Sequence, residues 1–264
     1  MTKRILCGFL LTATLTAFFC ASAVAQSRQK YVGIAQAGAL PVGTEEPCIS
    51  NQCLFYSGDF DASGPNPNGL WNGVNSVLGA TIDGTIYTPF QVPKKFKGAK
   101  GKTDWNVQGL FINSLFGDAG LGISVSSVNW SIVQGVASGG NPSGGQVKTI
   151  CSGSGTPSPL VATGRNLFGF YFEYTVLVTG VACPTLEAGV YWMTVVPTTV
   201  AIPYLSDVED NTPANAQGPG ISVQDDSFWT STYFGFSNFD LTTSACGNIG
   251  CDNFSVGVVG TATH

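Results

Sequence analysis

Histidine is almost missing from this chain: of 264 residues only the last, His264, is one. Terminal residues fray readily. A Ser-His-Asp or Cys-His relay needs an imidazole held inside a site, and no interior position supplies one. Histidine-bound metal sites fail for the same reason, and no G-x-S-x-G nucleophile elbow occurs. Charge is scarce as well, at 10% of residues, where about 25% is typical. Ser, Thr, Asn and Gly must therefore wet the surface. Basic excess is lacking, with 11 Lys and Arg against 16 Asp and Glu, which disfavours a nucleic-acid partner. Uninterrupted helix-forming windows are few, because 34 glycines are spread along the chain and each weakens a helix. Beyond the first 25 residues no apolar run approaches the ~20 residues that cross a bilayer, so no membrane span is expected in the mature chain.

What is present begins with an export signal. Lys3 and Arg4 form a positive start, Ile5 to Phe19 are uncharged and mostly apolar, and Ala23-Val24-Ala25 offers a small-x-small cleavage site. Cleavage after Ala25 is expected, with Gln26 as the first mature residue and a secreted product, extracellular or periplasmic. Phe19 stands where a lipobox wants a small residue, which argues against lipidation at Cys20. Six cysteines remain after cleavage: Cys48, Cys53, Cys151, Cys183, Cys246 and Cys251. An even count in an exported chain reads as disulfides, and spacing pairs Cys48–Cys53, Cys151–Cys183 and Cys246–Cys251. CISNQC and CGNIGC also have a C-x4-C spacing open to zinc; the oxidising compartment favours disulfides.

Strand signals are many. The run 165–180 alternates Phe168, Phe170, Phe172, Tyr174, Val176 and Val178 with Gly169, Tyr171, Glu173, Thr175, Leu177 and Thr179, a period of two. It is expected to form one strand with a polar face carrying Glu173 and Thr175. Residues 105–116, 123–134 and 189–196 read similarly, with shorter candidates at 54–57, 81–92, 146–150, 228–236 and 254–259. The apolar set of 123–134 changes parity between Val125 and Val128, which calls for a β-bulge. Asp83-Gly84 reads as a tight hairpin. Residues 64–69, 139–145 and 152–159 read as loops, and 207–220 as the longest polar insertion. These features predict an all-β, antiparallel two-sheet β-sandwich of the jelly-roll kind, disulfide-stapled. Residues 1–25 are its signal peptide, 26–47 a flexible lead-in and 48–264 a single domain.

Candidate sites follow from the few chemically loaded residues. Gly101-Lys102-Thr103 resembles the end of a phosphate loop, but Phe96 stands where the first Gly belongs and a strand pattern follows. Lys94, Lys95, Lys97, Lys100 and Lys102 crowd into nine residues, either as a solvated loop or as a patch for an acidic polymer. Asp59, Asp61 and Ser63 place oxygens at the early positions of a calcium loop. The twelfth position is Leu70, so an EF-hand is excluded; a looser calcium site and an ordinary Asx-rich turn both stay open. No other cofactor is expected. The pairs Asp59 with Asp61, Glu209 with Asp210, and Asp225 with Asp226 could serve a glycosidase, although such neighbours usually sit in turns; Glu173 stands apart by lying within a strand. Of five tryptophans, Trp130 and Trp192 lie in strands and read as core. Trp71 and Trp229 adjoin polar turns and are the better platforms for a sugar ring.

LFYSGDFDASGPNPNGLWNG, TIYTPFQVP, Trp105-Asn106-Val107-Gln108-Gly109-Leu110-Phe111 and AGVYWMTV occur in this order. The arrangement, over roughly residues 54–260, resembles exported bacterial β-sandwich proteins of the PEP-CTERM-associated kind. Two features differ from that group. Thr88 and Pro89 precede Phe90 where paired acidic residues are usual, and SVGVVGTATH carries no sorting tail. The resemblance implies fold and compartment and no catalytic residues. The expected function is a secreted, non-enzymatic binding or surface-interaction module for an extracellular polysaccharide or cell-surface polymer. The alternatives are a carboxylate-dependent polysaccharide-degrading enzyme and a structural matrix component.

Overall fold

The computed structural model describes residues 48, 53–59, 73–75, 77–78, 83–95, 103–117, 125–167, 171–199, 205–208, 217–223, 227–242 and 254–263. The chain divides into two units, Met1–Val32 and Gly33–His264, and every described residue belongs to the second. The expected signal peptide and lead-in lie outside the described residues.

Two sheets make up this unit. The seven-stranded sheet contains β1 (Cys53–Tyr56), β2 (Gly73–Asn75), β5 (Asp104–Gly117), β8 (Val161–Leu167), β9 (Tyr171–Thr179), β11 (Leu205–Val208) and β15 (Val256–Thr263). The long β5 organises it, pairing with β15, β9 and β11, while β1 extends it beyond β15 and β8 beyond β9. The eight-stranded sheet contains β3 (Val77–Leu78), β4 (Asp83–Val92), β6 (Val125–Gln134), β7 (Lys148–Gly155), β10 (Gly189–Thr199), β12 (Ile221–Ser222), β13 (Phe228–Ser231) and β14 (Phe236–Leu241). Its ladders are antiparallel apart from the parallel contact of β10 with β3. The all-β, two-sheet architecture is the one expected.

Both sheets contribute one face to a shared core. Phe90 of β4 is its centre, stacked on Trp105 at 6.0 Å, on Phe55 at 5.7 Å and on Tyr191 at 5.7 Å. Leu110, Ile112, Val176, Val178, Val256 and Val258 meet Ile86, Val128, Trp130, Ile132, Met193 and Val195 around it. Parity shifts keep apolar residues inward. Thr198 pairs with Ser127 and Thr199 with Val125, so Ser126 is skipped; this is the bulge that the pattern of 123–134 calls for. In β5 the inward set passes from Trp105 and Val107 to Leu110 and Ile112, and the ladder to β15 skips Gln108 there. One extra residue in one strand reverses which side chains face in.

Several sequence expectations need correction. Residues 165–180 are not one strand: Leu167 pairs with Tyr171, so β8 and β9 form a hairpin. Sixteen extended residues would reach roughly 50 Å, and alternation in phase on both arms hides the reversal. Phe168 and Phe170 lie outside the described residues, Tyr174 packs at the core edge, and Val176 and Val178 are within it. Asp83-Gly84 is not the hairpin turn but the start of β4, with Val77 paired to Gly84 and Leu78 to Asp83. The loop expected at 152–159 is strand as far as Gly155, because β7 pairs with β6 along its length.

The outward faces are not bare. On the eight-stranded sheet, Val133, Val136, Phe228 and Phe239 form a second apolar cluster with Tyr87, Trp192 and Leu241. The 139–145 loop caps β14 there, with Gly139 donating to the Phe239 carbonyl and the Phe239 amide to that of Gly140. Cys48, Tyr56 and Phe111 make a third cluster. Disulfides join Cys48 to Cys53 and Cys151 to Cys183, as spacing predicts; Cys246 and Cys251 lie outside the described residues.

Candidate functional site

Two places concentrate chemistry. The first is a buried polar network beside the β8–β9 hairpin. Ala162 pairs with Tyr174 and Asn166 with Phe172, so Thr163, Gly164 and Arg165 together oppose the single residue Glu173. Gly164 sits at φ 84°, a left-handed conformation that costs other residues about 1–2 kcal/mol. The bulge brings Thr163 and Arg165 onto Glu173. Thr163 Oγ1 donates to Glu173 Oε2 at 2.5 Å, and Arg165 Nε donates to the same oxygen. Arg165 Nη1 also reaches Asp59 Oδ1 at 3.1 Å, and the Tyr56 hydroxyl donates to that oxygen at 2.5 Å. Asn113 Nδ2 donates to the Tyr56 and Ser255 hydroxyls at 3.1 and 2.8 Å, and Thr175 Oγ1 donates to Asn113 Oδ1 at 2.7 Å.

Thr175 and Glu173 share a polar face, as alternation says, but the face is buried: the two are 2% and 1% exposed. Burial pushes the Glu173 carboxyl up, and the Arg165 guanidinium opposes it. Arg165 itself, although burial works against its charge, is held protonated above its ordinary value by Glu173 and Asp59. The Glu173 side chain is 0% exposed, so this carboxyl cannot touch a polymer. The network cross-links β1, β5, β8, β9 and the segment before β15.

The second place is the turn 232–235 between β13 and β14. Tyr233 and Phe234 are 56% and 47% exposed, the most exposed aromatic rings of the described residues. Their rings meet edge to face at 4.8 Å and 85°. Phe234 leans on Trp229 at 5.5 Å, and Trp229 on Phe236 at 5.0 Å. Every turn amide has a partner. Thr232 N and Oγ1 donate to Asp83 Oδ2 at 3.0 and 2.9 Å, and Tyr233 N donates to Asp83 Oδ1 at 2.8 Å. Phe234 N donates to Ser231 Oγ, and Gly235 N to the Thr232 carbonyl. Partial burial pushes the Asp83 carboxyl up, but the Thr232 and Tyr233 hydrogen bonds more than offset it and hold the group below its ordinary value.

The structure sorts the predicted site residues. Trp229 is 6% exposed and packed in the main core, so it is not a sugar platform; its neighbours Tyr233 and Phe234 occupy the surface instead. Trp130 is core, and Trp192 is half-buried in the second cluster. Lys94 and Lys95 are exposed beyond the far end of β4 from Asp83, roughly 30 Å from the turn by strand rise. Asp59 gives an oxygen to Arg165 and Tyr56, and a guanidinium at that atom opposes a second cation. Trp71, Asp61, Ser63, Lys97, Lys100, Lys102, Glu209, Asp210, Asp225 and Asp226 lie outside the described residues. No group of three metal-binding side chains gathers among the described residues. The aromatic turn escaped sequence reading because residues 228–236 look like one strand; Ser231-Thr232 and Gly235 were its turn signals.

No protein-family model matches the chain, and no curated protein or solved structure matches it.

Proposed function

We propose that the protein is a secreted, non-enzymatic binding module that holds a neutral extracellular glycan on the aromatic turn 232–235. One observation carries this reading: Tyr233 and Phe234 stand out in solvent on a turn whose amides are all hydrogen-bonded. Large exposed rings lose apolar hydration only when something covers them. Among the described residues, the exposed side chains next to the rings in sequence, Thr232, Ser237 and Asn238, are uncharged hydrogen-bonding groups that suit sugar hydroxyls. Lys94 and Lys95, which would draw an acidic polymer, lie at the other end of β4. The two disulfides fit an oxidising compartment, and the N-terminal sequence fits export. The enzyme alternative receives no support from Glu173, which is sealed from solvent.

The test is retention of the mature protein on cellulose, chitin and agarose beside acidic alginate, at low and high salt, with an assay for new reducing ends. Retention on a neutral polymer, insensitive to salt, is expected. Tyr233→Ala or Phe234→Ala should weaken it by about 1–3 kcal/mol, the range of base stacking on aromatic side chains. Salt-sensitive binding to alginate alone would move the contact to the lysines. Cleavage lost on changing one carboxylate would make the protein an enzyme.

A further inference from the structure

The aromatic turn owes its hydrogen bonds to a residue 149 positions away, since Asp83 opens β4 while Thr232 follows β13. The pairing of Thr230 with Thr85 brings the two together at one end of the sheet. Four donors converge there on one carboxylate: Thr232 N, Thr232 Oγ1 and Tyr233 N, with Ser231 Oγ longer at 3.4 Å. The Asp83 main chain takes part as well, its carbonyl accepting from Ser231 Oγ at 2.6 Å, and that hydroxyl in turn accepts from Phe234 N at 3.2 Å. Both carboxylate oxygens must accept. Only an ionised Asp or Glu does so; the amide of Asn would turn a donor toward one of the two main-chain N–H groups. None of these hydrogen bonds is to a ring atom. The partners of Asp83 include the Thr232 and Tyr233 amides, part of the backbone that carries those rings.

Resting on the reading of this turn as the glycan-binding surface, we propose that Asp83 is a positioning residue that sets Tyr233 and Phe234 in their binding arrangement before the ligand arrives. Ordering side chains in advance spares that cost at binding. The clamp also explains why two apolar rings stand on a four-residue turn without folding back: the turn backbone has no unbonded amide left to rearrange around.

Asp83→Asn, nearly isosteric, separates charge and acceptor geometry from bulk, and Asp83→Ala removes both. Hydrogen exchange at residues 232–234 should quicken at least about tenfold in both variants, as local protection is lost, while exchange in β5 and β9 stays as in the parent. Retention on cellulose, chitin or agarose should weaken about tenfold, the scale of ordering two side chains. Adding Asp83→Asn to a variant that carries both Tyr233→Ala and Phe234→Ala should weaken whatever retention is left little further. Unchanged exchange at 232–234 in Asp83→Ala overturns the proposal. So does faster exchange with full retention in a protein whose Tyr233→Ala form is impaired. If Tyr233→Ala and Phe234→Ala are both retained as well as the parent, the binding surface itself has been misplaced, whatever Asp83 does.

Discussion

Glu173 is the residue whose position says most about its neighbours. A carboxylate sealed from solvent needs a cation and donors, and the bulge in β8 delivers Arg165 and Thr163 to it. Breaking such a pair leaves a buried charge behind, so Arg165→Ala should cost about 3–5 kcal/mol at neutral pH by urea unfolding. The cost should depend on pH with a defined sign. Burial already raises the Glu173 carboxyl and Arg165 opposes the rise; without Arg165 it rises further. A carboxyl raised on folding favours the native state when protonated, so stability is lost as pH climbs from the unfolded value through the folded one. The variant's deficit should therefore shrink on acidification toward about pH 4, and a deficit that grows there would contradict this account. Asp83 runs the other way, since its carboxyl is lowered: the order it lends the turn is lost as pH falls below the ordinary aspartate range. A third contrast separates core from surface. Trp229→Ala should cost about 3–5 kcal/mol of stability as a core truncation, and Tyr233→Ala no more than about 0.5 kcal/mol as a surface one, both read from urea midpoints.

Among elements, register irregularities do most to place side chains. The skip at Ser126 keeps Val128, Trp130 and Ile132 inward, and the skip at Gln108 turns Asn113 outward into the polar network. Both can be read as parity changes in the sequence, because apolar residues mark the inward side before and after. The wider bulge opposite Glu173 cannot, since Thr163, Gly164 and Arg165 carry no apolar mark. The disulfide Cys151–Cys183 acts at the same scale, tying β7 to the segment that follows β9 across a separation of 32 residues. By chain entropy, replacing both cysteines with Ala should cost about 3–4 kcal/mol, against about 2 kcal/mol for the Cys48–Cys53 pair with its separation of 5. Thermal unfolding of the two double variants checks the order; a larger loss from the shorter loop would refute the entropic explanation.

For the whole molecule, two disulfides within the described double sheet fit an oxidising compartment. The export reading predicts a mature product that begins at Gln26. Intact-mass spectrometry of the secreted protein should show that start and no free thiol among the six remaining cysteines. A product retaining Met1 in a membrane fraction would contradict the export reading, and stoichiometric zinc on reduced thiols the disulfide one.

The amino-acid sequence by itself determined the fold class, the paired cysteines at Cys48–Cys53 and Cys151–Cys183, the bulge near Ser126 and the core placement of Trp130, Val176 and Val178. Each follows from short-range periodicity, from composition or from the spacing of six cysteines along the chain, all of which are read without knowing how strands pair. Only the tertiary structure decided which faces are covered and which distant residues meet. Alternation groups Glu173 with Thr175 but does not say that their face is buried; Trp229 beside a turn looks exposed until β4 and the core close over it. The turn 232–235 became a candidate site because Asp83, far off in sequence, joins it through the β4–β13 ladder. Side-chain period is a local property of an extended backbone, whereas burial and long-range hydrogen bonding depend on how strands pair and sheets stack.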